Sequence, residues 1–555
     1  MRALLCGKAL FFLILLFEKR NKKTHSFIDC SVEKIRRFYM QTEKEYLSGR
    51  DNVTLRCESV GEYSLPDYNG DVKKVLAVKT RVFPTGKFVG DDSLEFSGAV
   101  GYEVVYLDGE NNVTHAEFST DYDGAVRISS DTYVDSDVFT TVSSCNMRLV
   151  GPRKLSVKCS LDNEIRISER KCYEIVGDAF DEYEPQTSER SVNVLAQFFG
   201  SGEVKEFSDE IVSIDGAIAD EVEILLTDAE FITDSIEKSD DDLNVKGNVR
   251  VTLLYRNGDE APRTAFKEIS FDEDVELDGA SSLEALDVRV DITSLKGKVE
   301  PTEDGVSLIV TFVATPVVYG VKNTEIQLIS DAYLKERGTS NDYSEFGYTE
   351  HICTETFEDK FESKIPASEL EIDNHGEIIW SESTARVEKC DFVENGVQID
   401  GEIRFSAIAC QVSEDNTLSY FPVKFTLPFS KNVNVSCQKH DNMRINCSVR
   451  STNTKIEIGE NDVFASSDLS ILITVNSQRR QRCLGASYLT DEEYARDESV
   501  VTVYYPDPSE SLFEIAKRFH TSVSAIAQTN RLTESVFSSS NDAIGLSDIK
   551  KLIIK

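Results

Sequence analysis

The groups in this chain that could do chemistry are few and scattered. There are six histidines, His25, His115, His351, His375, His440 and His520. None belongs to an HExxH pair, and the sequence has no G-x-S-x-G nucleophile turn and no GxxxxGK[ST] phosphate loop. Thiolate and imidazole are the ligands zinc prefers, so Cys437-x-x-His440 with Cys447 nearby is the best metal candidate, yet a fourth ligand at workable spacing is missing. Ser239-Asp240-Asp241-Asp242 could offer carboxylates to calcium, but it has no EF-hand spacing and reads better as a solvated turn. With 98 acidic residues, any two carboxylates can be paired by chance, so no glycosidase-type dyad can be singled out. The reading is a protein with no catalytic residues, no metal and no cofactor.

The elements that would have to position such groups come next. At 555 residues the chain is longer than one core organises, and the apolar share of 40% with sparse proline fits globular domains. A net charge of −38 repels phosphate backbones and anionic headgroups, which argues against nucleic-acid partners. Residues 1–39 reverse the sign, with nine Lys/Arg against three acids around the apolar run Ala9 to Phe17. That run is too short for a stable membrane span, which needs roughly 20 residues. Three readings stay open: a leader ahead of a true start at Met40, a weak anchor, and a signal peptide. Twelve cysteines without a CxxC pair read as reduced, mostly buried thiols.

Internal similarity organises the remainder. GAVGYEVVYL starts at Gly98, GNVRVTLLYR at Gly247 and GEIRFSAIAC at Gly401, each with alternating apolar residues. Period two over that length predicts a strand with one buried face, and the leading glycine points to a bulge or turn where the strand enters. Second strands are predicted around Glu117, Glu268 and Lys424, and third ones from Leu155, Val306 and Leu469, joined by Asp/Asn/Gly turns as antiparallel hairpins. The fold class is therefore mainly β, with three tandem antiparallel, sandwich-like repeats at 45–190, 191–350 and 351–495. The polar stretches 181–190 and 335–345 read as linkers.

From Val500 the pattern changes. VVTVYY predicts a strand, Ser511-Leu512-Phe513-Glu514 fits a capping box, and Leu512, Ile515, Ala516 and Phe519 recur on one helical face. A second helix runs from near Ser522 to Asn530, and KLIIK closes a β-α-α-β order over 499–555. This arrangement resembles a LysM domain. Leu512, Ile515-Ala516-Lys517-Arg518-Phe519, Val523, Ile526 and Asn530 stand at the positions of that pattern, with Ser509-Glu510-Ser511 in place of its usual Gly-Asp-Thr. The resemblance implies a groove formed by Ser509, Glu510, Ser511, Asn530, Arg531 and Leu532. In LysM domains that groove binds N-acetylglucosamine-containing glycans. Ser511 as a helix cap and Asn530 as a loop-stabilising residue are equally available readings.

Three β-repeats followed by one such domain, with VKGNVRVTLLY and QIDGEIRFSAIA in the repeats, resemble the SPOCS-domain, spore-coat-associated proteins of endospore-forming bacteria. That resemblance implies a non-enzymatic adaptor of coat assembly, at work in the mother-cell cytoplasm at the forespore surface. Its LysM end would engage the coat's morphogenetic scaffold ATPase, and its repeats would engage other spore coat proteins. The alternative is an exported protein of the cell wall that binds peptidoglycan or its precursors.

Overall fold

The structure is a computed structural model that describes residues 43–50, 53–67, 69–181, 183–277, 279–370, 376–394, 396–412, 418–494, 500–507, 510–532 and 549–555. The basic stretch 1–39 and Ser509 lie outside these residues.

Seven strands build the first sandwich. They are β1 (Glu43–Gly49), β2 (Val53–Ser64), β3 (Val72–Val89), β4 (Ser93–Asp108), β5 (Val113–Arg127), β6 (Tyr133–Gly151) and β7 (Lys154–Glu174). One sheet is the meander β3-β4-β5; in the other, the long β7 pairs with β6 and with β1 and β2 end to end. A short helix, α1 (Asp178–Asp181), leads to the second sandwich of β8 (Gln186–Ser201), β9 (Lys205–Asp215), β10 (Val222–Lys238), β11 (Asp242–Asn257), β12 (Arg263–Glu276), β13 (Ala285–Pro301) and β14 (Gly305–Tyr333). Its meander is β10-β11-β12, and β14 holds β13, β8 and β9. The third sandwich contains β15 (Arg337–Pro366), β16 (Gly376–Val393), β17 (Gly396–Val412), β18 (Leu418–Val433), β19 (Met443–Ile458) and β20 (Asp462–Glu493), as a β16-β17-β18 meander over β15-β20-β19.

The alternating runs account for these pairings. Val100, Tyr102 and Val104, then Val249, Val251 and Leu253, then Ile403, Phe405, Ala407 and Ala409, are all buried on the central strands β4, β11 and β17. Each set packs on the inward face of the long strand opposite, such as Leu155, Val157 and Leu161 in the first sandwich. The repeated glycines have a different role from the one their position suggests. Gly98, Gly247 and Gly401 sit inside their strands, opposite Pro84, Thr233 and Val387, and the bulge falls one residue further along the neighbouring strand in every case. A Cβ at any of the three would collide with a carbonyl oxygen of that bulged strand, from Phe83, Ile232 or Arg386. The segments read as linkers are largely strand. β8 begins at Gln186, and β15 runs unbroken from Arg337 across the 350/351 boundary. Their polar composition reflects one solvent-facing side of a strand, which linker-like composition alone does not distinguish.

The three sandwiches are not strung out in a row. A second bulge on β3, β10 and β16 turns Leu76, Leu225 and Ile379 out of the meander, and these three residues meet in one shared core with Val105, Leu254, Ile408 and Trp380, the chain's single tryptophan. A second shared core forms where the far ends of β7, β14 and β20 converge, around Tyr173, Leu328 and Leu484. There the Tyr173 hydroxyl donates to the backbone oxygens of Ile329 (3.3 Å) and Leu484 (2.8 Å), bonding both other sandwiches at once. Arg289 grips Asp137 through two 2.7 Å bonds between the second and first sandwiches. Asp287 of the second accepts from Arg166 of the first and Arg450 of the third.

One of these contacts involves an imidazole. His115 Nδ1 lies 2.9 Å from Glu223 Oε1 across the first and second sandwiches. Burial pulls the imidazole down, but the hydrogen bond and charge of Glu223, with Glu117 and Glu103 behind it, outweigh burial and raise it above its ordinary value. A raised histidine contributes stability below its unfolded pKa of about 6.5 and loses it as pH rises through the higher folded value. The wild-type melting temperature is therefore expected to fall more between pH 6 and pH 8 than that of His115→Gln. Parallel curves from thermal scans at stepped pH would refute this.

Candidate functional site

Two places gather functional side chains, the centre of the three sandwiches and the C-terminal module. Lys79 on β3, Asp228 on β10 and Glu382 on β16 each stand nineteen residues ahead of their repeated glycine, and the three meet. Lys79 Nζ is 2.8 Å from Asp228 and 3.1 Å from Glu382, with the three side chains only 20–29% exposed. Burial alone would pull the ammonium down, but the two carboxylates hold it well above the usual lysine range, and Asp228 is correspondingly held below the usual carboxylate range. Two residues beyond Asp228, Glu230 is pushed up to about 7 by burial and by the Asp228 charge. The cluster borders a cavity of about 750 Å³ between the sandwiches. Arg81 and Arg289 also line it, and both are bound by acids, so the cluster's chemistry is charge matching at a junction. The constant spacing to the glycine was the signal available in the sequence. It draws attention only once the three positions are known to converge.

The C-terminal module comprises β21 (Thr502–Tyr504), α2 (Leu512–Arg518), α3 (Val523–Asn530) and β22 (Leu552–Ile554), with β21 and β22 antiparallel. Leu512, Ile515, Ala516, Ile526, Leu552 and Ile554 form its core. Ser511 accepts from Glu514 N while the Glu514 carboxylate accepts from Ser511 N, a complete capping box. Asn530 donates to Ile526 O and Ile553 O and accepts from Ile553 N, fastening the last strand to α3. Glu510 accepts from the Tyr504 hydroxyl (2.7 Å) and from Arg518 (2.7 Å). The Tyr504 bond first, then Asp507 N–H and Arg518, keep its carboxyl below the usual range. Arg531 is exposed in the left-handed region, φ 54°, and Leu532 is half-buried beside it. Of the groove residues, Ser511, Asn530 and Glu510 thus direct their polar groups to the module itself, Leu532 packs half-buried against its core, and Arg531 faces outward.

The residues that seat this module went unnoticed in the sequence. Tyr333, at the end of β14, enters the module's core, stacking edge-on to Phe513 (5.2 Å between centroids) and donating to Thr521 O at 2.6 Å. Lys517 reaches Asp331 at 2.5 Å, and the His520 ring stacks on Tyr494 at 3.6 Å. A strand-end tyrosine carries no periodic signal that would mark it.

The metal candidate does not assemble. The Cys437 sulfur lies against Cys353, Cys447 is on β19 with its thiol on Cys390, and His440 N–H donates to Met443 Sδ. Ser239 and Asp242 hydrogen-bond each other and close the β10–β11 turn. Among the described residues, no three of His, Cys, Asp and Glu come together as metal ligands, and no helix is long and apolar enough to cross a membrane.

Residues 222–300 and 376–457 match the family described as SipL, SPOCS domain. Those two stretches are similar to the SPOCS domain. The two matched stretches run over β10–β13 and β16–β19, which are equivalent strands of the second and third sandwiches, and β3–β6 occupy the same places in the first. The SPOCS match suggests a role associated with the spore coat and with interactions among coat proteins. No curated protein and no solved structure matches the chain.

Proposed function

We propose that this protein is a non-enzymatic adaptor of spore coat assembly, acting in the mother-cell cytoplasm at the forespore surface. Its three SPOCS-type sandwiches form one body that binds other coat proteins, and its C-terminal module, a LysM-like unit, engages the morphogenetic scaffold ATPase of the coat. The observation that carries the reading is the SPOCS match on equivalent strands of two sandwiches. Seating of the module on Tyr333 supports it, because a fixed orientation lets one body join two partners in a defined geometry.

A protein partner fits the module better than a glycan. Sugar recognition needs polar groups aimed outward at hydroxyls, whereas Asn530, Ser511 and Glu510 spend theirs on the module itself. The exposed Arg531 is of the residue type that anchors protein interfaces. Capture of the scaffold ATPase from sporulating-cell extract by the full chain is expected to fall at least tenfold in an Arg531→Glu variant. Undiminished capture by that variant would refute the reading. Co-sedimentation of the full chain with purified peptidoglycan sacculi, lost in the same variant, would instead favour the cell-wall alternative.

A further inference from the structure

Four cysteines of the third sandwich occupy its two open edges in pairs, and nothing in the adaptor reading uses them. The meander β16-β17-β18 meets the sheet β15-β20-β19 along β16/β19 on one side and β15/β18 on the other. On the first edge, Ser383 on β16 bonds Thr454 on β19 at 2.7 Å, and further along it Cys447 on β19 lies beside Cys390 on β16, both packed against the same core. On the second edge, Lys431 of β18 pairs with Asp359 of β15, and Ser436 N–H donates to Glu355 at 2.6 Å. Beside them Cys437, four residues past the end of β18, lies with its sulfur 3.3 Å from that of Cys353 on β15. All four residues are partly exposed. The second sandwich, with the same strand order, contains no cysteine.

We propose that these pairs are sites of disulfide formation, Cys390 with Cys447 and Cys353 with Cys437, which together clasp both edges of the third sandwich when a peroxide oxidant is present. A disulfide sets the sulfurs about 2.0 Å apart, so the Cys353–Cys437 pair needs to close by only about 1.3 Å. In the other pair the contact with Cys447 lowers the Cys390 thiol from its ordinary value and raises Cys447, which makes Cys390 the more readily ionised of the two. The Cys390 thiolate attacks one oxygen of hydrogen peroxide, the O–O bond breaks, and the departing hydroxide takes a proton to become water. The resulting sulfenic acid is attacked by the Cys447 sulfur; the S–O bond breaks and the oxygen leaves with the Cys447 proton as a second water. Two thiols thereby lose two electrons and two protons, and one peroxide becomes two waters. A further pair, Cys145 and Cys159, sits directly across β6 and β7 within one sheet and would join nothing that the ladder does not already hold.

Peptide mapping of the full chain tests this. The reduced protein is treated with hydrogen peroxide, its remaining thiols are alkylated under denaturing conditions, and disulfide-linked peptides are identified by mass spectrometry. Linked peptides joining 390 to 447 and 353 to 437 are expected. In Cys447→Ser only the 353–437 link should persist, and Cys390 should instead be trapped as a dimedone adduct of its sulfenic acid. In Cys437→Ser only the 390–447 link should persist. Circular dichroism of both variants checks that the sandwich still folds. If the four cysteines stay free, or link to cysteines other than these partners, the proposal is overturned. It stands or falls independently of the adaptor reading, since no coat partner enters the measurement.

Discussion

Lys79→Met is expected to destabilise the transition reported by Trp380 by about 3 kcal/mol, the lower end of the range for breaking a buried ion pair, because the cluster keeps some exposure. The substitution leaves Asp228 and Glu382 facing each other with their shared cation gone. Trp380 sits in the core that the three sandwiches share and is the only tryptophan, so its fluorescence during urea unfolding follows the opening of that junction. The informative contrast is the triple variant Lys79→Met, Asp228→Leu, Glu382→Leu. Desolvating three charges costs roughly what their attraction returns, so an apolar replacement of the whole cluster should be as stable as wild type or more so. A single variant within about 0.5 kcal/mol of wild type would mean that the three charges are solvated and uncoupled. A triple variant no better than the single would mean that the cluster's hydrogen bonds, such as the one from Ala229 N–H to Asp228, hold the centre.

Tyr333→Ala is expected to release the C-terminal module from the body while leaving the Trp380 transition in place. The ring is buried among Leu512, Ile515 and Phe513, and removing a buried aromatic costs about 3–5 kcal/mol, enough to unseat a unit held by this side chain, one ion pair and one ring stack. Limited trypsin digestion under native conditions should then cut within residues 500–555 much faster than in wild type. Tyr333→Phe, which removes only the hydrogen bond to Thr521, should cost about 1 kcal/mol and leave the digestion pattern close to wild type. Equal digestion rates for Tyr333→Ala and wild type would show that the seat is made elsewhere.

The strands were legible because one face of each is buried and the period is two. Val100, Tyr102 and Val104 state their own geometry, as does the Ser511–Glu514 cap. The linkers were misjudged for the same reason that the strands were found. β8 and the first half of β15 have mixed, polar-rich patterns, and their burial comes from other sandwiches at the second shared core. Of the groove, the sequence located Asn530 but not the direction of its hydrogen bonds, which depends on where β22 returns to the module.

By itself the sequence determined the local elements, namely the glycine-led strands, the hairpin turns, the two short helices with their caps, and the lack of any recognisable catalytic motif. These follow from chemistry that acts between near neighbours along the chain. Only the tertiary structure decided that the three sandwiches close on a common centre, that Lys79 answers two acids some 150 and 300 residues away, and that Tyr333 seats the last module. Those contacts depend on how twisted sheets and bulges aim side chains across domains. That direction accumulates over whole strands, and no short window of sequence contains it.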